Sequence, residues 1–445
     1  MPDLGDLCAA AVGAAGEGEA LEAYAEESKR TEVTAHKGEV EGLTFAESRG
    51  VGVRLIAGGR LGYAYAADPT LDEVREAVAR AREGAALATE DEFNVLAAAS
   101  AADPIPSLFR DDLAAMTTDR KVTLALDLER LATTTDTRVT KVERAEYGDA
   151  VSRVAIASTA GLATEYERTD CWCGVFALAE DGDEAQTGWS FRIAREVGEL
   201  EWAEVASEAV QRGVRLLGAR KPPSARVPVV LDPFAGSSFL GVLAGALSAE
   251  SVQKQRSLFA DLVGEQVASG AFTLVDDGRL LAGPACSPFD DEGVPTGRTE
   301  LVARGRLMGF LHDTYTAARG GTVSTGNARR AGYRSPPGVG TSNFFVEPGE
   351  ASVEDILRMA EGGVLIQDVS GVHSGANAIS GEFSVGATGL RITRGTLGEP
   401  LREMTVASTL PQMLRAITAI GSDLRFFTSV GVPTILVGEM TVAGV

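Results

Sequence analysis

The sequence predicts an α+β protein: a mixed α+β first part followed by a β-rich second part of barrel or sandwich type. Three observations carry this. Up to about residue 217 the apolar periodicity alternates between two and about 3.6 residues, whereas the remainder is mostly short apolar runs bounded by glycine. Between them stands Lys221-Pro222-Pro223-Ser224-Ala225. Its two prolines remove two amide donors and force extended backbone, so neither a helix nor a central strand crosses it. Finally, 51 glycines in 445 residues exceed the usual share of about 7% and lie in short non-periodic runs, which marks many tight turns. The length suits two large domains, expected at residues 1–220 and 226–445.

Taken in order, a helical opening runs to about Glu19. Leu21, Ala23, Ala25 and Glu27 then lead into a strand at 31–36. Val51, Val53, Leu55 and Leu61, Tyr63, Tyr65 repeat every second residue around Ala57-Gly58-Gly59-Arg60, a hairpin signal. At Thr70 the period changes: Leu71, Val74, Ala77, Val78 and Ala81 fall on one helical stripe, capped by Thr70, with Asp72 and Glu73 in the first turn. A second helix is expected at 119–131, strands at 139–147, 152–159, 163–179 and 186–194, and a helix at 202–217. After the proline pair come a strand at 227–231 and a small-residue helix at 237–249. Short strands follow near 272–276, 299–304, 306–311, 344–346, 363–368, 382–385, 389–393 and 434–437. One helix interrupts them, with Ser352 as its cap and Gly362-Gly363 as its stop.

The 41 basic and 63 acidic residues leave a net charge of −22, which repels polyphosphate and argues against direct nucleic-acid binding. The first residues carry two acids and no basic stretch, and nowhere do 18 apolar residues run together, so a cytoplasmic protein without a membrane span is expected. Four cysteines without CxxC spacing argue against a disulfide framework.

Several catalytic signatures are missing: GxxxxGK[ST], GxGxxG opening a helix, GxSxG and HExxH. The histidines His36, His312 and His373 are isolated. Cys171 and Cys173 sit at strand spacing and read as packed thiols beside Trp172. Asp290-Asp291-Glu292 lacks the alternating spacing of a calcium loop and reads as a solvated turn. Ser324-Thr325-Gly326-Asn327-Ala328-Arg329-Arg330 can hold a carboxylate or a peptide terminus; turn residues followed by a solvated arginine pair explain it equally well. His373-Ser374-Gly375-Ala376-Asn377 with Ser380-Gly381 can line a pocket or merely turn the chain.

Five segments in one order are similar to the TldD/PmbA family. They are Val275-Asp276-Asp277-Gly278, the run from Phe289 through Asp290-Asp291-Glu292-Gly293 to Thr296, Ser324 through Arg330, Ser380-Gly381-Glu382-Phe383-Ser384, and Ala419-Ile420-Gly421-Ser422-Asp423-Leu424. The resemblance implies a two-branch family that assembles into a heterodimeric metalloprotease. One branch carries HExxxH, whose histidines bind zinc together with a C-terminal cysteine. Here that motif aligns with Leu240-Gly241-Val242-Leu243-Ala244-Gly245, and the last cysteine is Cys286, so the chain resembles the TldE (PmbA) branch.

That resemblance implies no catalytic residue and no cofactor in this chain. Zinc is expected in a TldD-type partner, and the complex is expected to degrade or trim unfolded or modified peptides. Asn327, Arg329, His373, Asn377 and Ser380 are the candidates to line the shared chamber. Two other readings stay open: a homodimeric peptide-binding or regulatory protein, and a biosynthetic hydrolase with its own site near His312, His373 and Asp290. The apolar helix at 237–249 is expected to be buried on most sides.

Overall fold

Alternating apolar residues produce, in the computed structural model, strands far longer than average. The structure describes residues 2–444. The first half runs α1 (Leu4–Gly13), β1 (Glu19–His36), β2 (Glu39–Ala57), β3 (Arg60–Ala67), α2 (Leu71–Leu87), α3 (Asp111–Ala114), α4 (Thr118–Thr135), β4 (Val139–Ser158), β5 (Ala163–Asp181), β6 (Glu184–Ala194) and α5 (Trp202–Val214). Its strands make one antiparallel sheet in the order β3-β2-β1-β4-β5-β6. Lys37 with Gly38, and Gly58 with Gly59, all take positive φ. Two left-handed residues in succession make the hairpin turn whose twist matches that of the flanking strands.

One face of this sheet is apolar and carries the helices. Leu7 and Ala11 of α1 and Val74 and Val78 of α2 pack on Leu21 and Val53; Leu128 of α4 and Val205 of α5 pack on Val33, Ala145 and Cys173. The approach is close at Gly62 of β3, where a Cβ would stand 1.8 Å from the Ala81 carbonyl oxygen of α2. Both N-caps expected from sequence form, Thr70 on α2 and Ser352 on a later helix, and the structure extends each to a capping box with an acid three residues on.

The second half runs β7 (Ala225–Leu231), α6 (Pro233–Ala246), α7 (Ala249–Gln253), β8 (Leu274–Asp277), β9 (Arg298–Ala303), β10 (Arg306–Leu307), α8 (Thr314–Gly320), β11 (Ala328–Arg329), β12 (Gly338–Val339), β13 (Phe344–Val346) and α9 (Val353–Met359). It ends with β14 (Val364–Ser370), α10 (Val372–Gly375), β15 (Glu382–Thr393), β16 (Thr396–Thr409), α11 (Leu410–Arg415), β17 (Ile417–Ile420), β18 (Arg425–Phe427), β19 (Val430–Val432) and β20 (Ile435–Gly444). Strands β16-β15-β14-β7-β20 close into a barrel because β16 also pairs with β20. A second sheet, β10-β9-β8-β13-β19-β18, lies beside it. One core joins them, from Phe239 and Leu243 of α6 to Ile366, Val406 and Ile435 of the barrel and Phe344 of the second sheet.

Several expected elements shift: α1 ends at Gly13, the strands expected at 139–147 and 152–159 are the single β4, and the strand expected at 306–311 shrinks to β10. The helix placed at 237–249 starts at Pro233 and stops at Ala246. Pro233 occupies the first turn, where its missing N–H costs nothing, and Asp232 caps it by accepting from the Phe234 amide at 2.9 Å. The two short strands near 382–385 and 389–393 are one strand, β15, bulged where it meets β16.

Candidate functional site

Three of the segments that the sequence singles out, at 275–278, 289–296 and 324–330, meet at one buried junction. In the loop between β8 and β9, Asp290 is fully buried and its carboxylate accepts from the amides of Glu292 and Val294, each at 2.9 Å, and of Ala328 at 3.0 Å. Asp291 accepts from the Arg330 amide at 2.7 Å. The acidic loop is thus stitched to the segment holding Asn327, Arg329 and Arg330. Asp276 of β8 completes the knot, accepting from the Asn327 amide group and the Ser342 amide, each at 2.7 Å, and from the Ser342 hydroxyl.

The first sheet enters through its other face. Arg54 of β2 lies 2.7 Å from both Glu22 of β1 and Glu292, and all three side chains are buried. Arg330 forms a second ion pair with Glu22 and stacks over the Tyr24 ring at 4.9 Å. Two carboxylates and two guanidiniums therefore balance in a dry site. Tyr333 reaches the same face because β2 carries glycine there; a Cβ on Gly50 would lie 2.3 Å from its ring. Burial and the neighbouring Glu292 carboxylate push the Asp290 carboxyl upward, against the three amides it accepts from. Burial also pushes on Glu292, but Arg54 and the Thr314 amide outweigh it and hold Glu292 below its ordinary value.

Two sequence expectations are corrected here. Asp290-Asp291-Glu292 is no solvated turn: Asp290 and Glu292 are wholly buried, because backbone amides and Arg54 replace water around them. Nor is Arg329-Arg330 a solvated pair. The Arg330 side chain is buried against Glu22, and Arg329 is half-buried, with Nε donating to the Thr341 carbonyl at 3.2 Å and Nη2 buried without a hydrogen bond.

The predicted chamber residues fall into two groups. Asn327 and Arg329 belong to the junction; Asn327 is buried and its side chain is fully engaged with Asp276, Gly340 and Thr325. His373 on α10, and Asn377 and Ser380 in the turn after it, are exposed on the segment linking β14 to β15. There Asn377 accepts from the amides of Ile379 and Ser380 at 2.8 and 3.1 Å, and Ser380 accepts from the Glu382 amide at 3.3 Å. No hydrogen bond or ion pair joins the two groups among the described residues. The junction members supplied by the first half, Glu22, Tyr24 and Arg54, escaped sequence reading: in β1 the polar row Glu22, Tyr24, Glu26 alternates with Leu21, Ala23, Ala25 and looks like an ordinary solvent face.

A zinc ion finds no fit on α6. Leu240 is buried in the core, and Gly241 and Gly245 are exposed without a side chain. These positions offer no lone pair. Elsewhere, among the described residues, no group of three or more His, Cys, Asp or Glu could hold a metal. Cys171 and Cys173 are packed thiols, and burial pushes Cys173 up to about 12. His312 is half-buried and burial lowers it; its Nδ1 is buried without a partner.

Known proteins share this architecture along the whole chain. Residues 224–444 match the PmbA/TldA metallopeptidase C-terminal domain, 111–217 the central domain and 21–85 domain 1 of the same proteins. The chain is 26% identical over 433 residues to the metalloprotease PmbA of Escherichia coli O157:H7, covering 97% of this chain and 94% of that one. It is 27% identical over 441 residues to a metalloprotease TldD homolog of Haemophilus influenzae, covering 90% and 88%. A crystal structure from Thermotoga maritima described as a modulator of a DNA gyrase superposes with a TM-score of 0.89 at 26% identity, over 98% of each chain. TldE from Thermococcus kodakarensis superposes with a TM-score of 0.88 over 96% of this chain and 97% of that one; at 24% identity this likeness concerns the fold alone. With three consecutive domains matched and both sequence and fold shared from end to end, the chain belongs to the PmbA/TldD family of metalloprotease-like proteins.

Proposed function

We propose that this chain is the subunit of a two-chain zinc peptidase that contributes no metal ligand and closes the peptide chamber against a TldD-type partner carrying HExxxH. One observation carries the reading: at the family's zinc-motif positions α6 has Leu240, Gly241 and Gly245, none able to bind a metal or move a proton. The relatives named as metalloproteases support the peptidase class. Zinc and its water belong to the partner in this reading, and unfolded or modified peptides are the substrate.

His373, Asn377 and Ser380, exposed on one segment, are the proposed contacts to peptide, while Asn327 and Arg329 act from beneath by shaping the junction. Domains at 1–220 and 226–445 and a cytoplasmic location complete the proposal. No helix among the described residues is long and apolar enough to cross a membrane.

The test is co-expression with a HExxxH-bearing family member, followed by zinc analysis and a peptide-cleavage assay. Zinc equimolar with the pair, and cleavage by the pair alone, are expected. Chelator-sensitive cleavage by the isolated chain, with stoichiometric zinc, would overturn the reading. His373→Ala should lower turnover several-fold without separating the subunits.

A further inference from the structure

The sheet of the first half has an edge that its own chain leaves open. β3 pairs only with residues 50–57 of β2, and the chain then turns away. Asp68 donates its amide to the Arg49 carbonyl at 2.9 Å and takes φ 45°, and Pro69 follows. Beyond that point no described strand pairs with the outer edge of residues 39–48, although β1 pairs with their inner edge throughout. Along these ten residues every second one therefore presents unpaired backbone groups, in line with the end of β3.

Natural sheets blunt such edges with lysine, proline or short length. This one has a single bulge, between Gly42 and Val40, and no proline or lysine from 39 to 48. It also carries an apolar row: Val40, Leu43 and Phe45 pair with Ala35, Val33 and Thr31, so all three share one face, and they are 39%, 41% and 60% exposed. Glu39, Glu41 and Glu47 are exposed along the same segment, which holds no basic residue. Lys29 of β1 lies 3.8 Å from Glu47 but is shared with Glu27, at 3.6 Å.

We infer that the free edge of β2, residues 39–48, takes an added strand from an extended, unfolded polypeptide segment with basic ends and an alternating apolar row. Main-chain hydrogen bonds to the edge supply affinity, and the row Val40, Leu43, Phe45 with the flanking glutamates supplies selection. Charge argues against a second copy of this chain. Two-fold antiparallel pairing that sets Leu43 opposite Phe45 also sets Glu41 level with Glu47, and like charges across a strand pair repel. The inference stands apart from the peptidase proposal because binding is read on the isolated full chain.

The test uses fluorescein-labelled Lys-(Val-Thr)3-Lys, its Glu-ended counterpart, and two Lys-ended forms N-methylated on alternate amides, one for each edge of the probe strand. Anisotropy should show the Lys-ended probe binding at least tenfold tighter than the Glu-ended one, and one of the two N-methylated forms losing at least tenfold. The paired substitution Leu43→Ser with Phe45→Ser, both at exposed positions, should weaken the Lys-ended probe by a similar factor. Glu39→Lys with Glu41→Lys and Glu47→Lys should reverse the preference. If the Ser variant alters the far-UV spectrum, the N-methylated pair decides alone. No binding, equal affinity for the two end charges, or indifference to N-methylation would overturn the inference. So would a concentration-dependent dimer, lost in the Ser variant, without probe binding, since the occupant would then be a second copy.

Discussion

Arg54 stands between two buried carboxylates, and its removal would leave Glu292 with only neutral donors. Arg54→Met should therefore cost about 3–5 kcal/mol, the usual penalty for breaking a buried pair from one side. Arg54→Lys should recover only part of it, because one ammonium cannot fork to both acids. Urea unfolding followed by tryptophan fluorescence would measure both. Asp290 offers a pH test. Its folded carboxyl titrates above its unfolded value, so between the two the folded chain holds a proton that the unfolded chain has released. Stability from this group is thus lost as pH rises from about 4 upward. Asp290→Asn should flatten the fall, by up to about 1.4 kcal/mol per pH unit, in unfolding curves compared near pH 5 and pH 7. Asn327→Ala, by contrast, takes a donor from buried Asp276 and should cost about 1–3 kcal/mol. A loss of turnover in that variant would report folding as well as any role at the chamber.

Glycine has opposite meanings on two elements. On α6, a Cβ at Gly241 or Gly245 would meet nothing within 4 Å, so alanine at either position should stabilise the isolated chain by about 0.5–1 kcal/mol through the helix alone. Gly62 on β3 lies against the backbone of α2, and a Cβ there would overlap the Ala81 carbonyl. Gly62→Ala should destabilise by about 1–3 kcal/mol. Thermal melts of the three variants check both signs. If a partner packs on the open face of α6, Gly241→Ala and Gly245→Ala should also weaken co-purification while raising the melting temperature of the free chain.

Across the molecule, arginines hold the first sheet to the second half at separate places. Arg54 and Arg330 tie β1 and β2 to the junction. Arg195, just past β6, donates to Asp170 at 3.0 Å and to the Gly283 carbonyl at 3.1 Å. Arg212 of α5 reaches Asp232, the cap of α6, at 2.9 Å, and Arg425 grips Glu208 of α5 with two bonds at 2.7 and 2.9 Å. An aromatic row from Trp189 through Phe234 to Phe427 runs beside the last pair. So many ties, most of them buried, favour joint unfolding of the two halves. Calorimetry should show one transition for the native chain and two for Arg54→Met combined with Arg195→Met.

The features legible from sequence alone were those set by neighbours in the chain. Gly58-Gly59 specifies its hairpin because left-handed backbone is easy for glycine, and Thr70 and Ser352 cap their helices by accepting from the amide three residues on. That residues 240–245 carry only aliphatic side chains or none is equally plain. What only the tertiary structure decided depends on pairs distant in sequence. The barrel closes where β16 meets β20. Glu22, Arg54 and Glu292 neutralise one another across 32 and 238 residues. A buried acid and a solvated acid are the same letter in a sequence; the difference is whether folding brings a cation and a set of amides to replace its water.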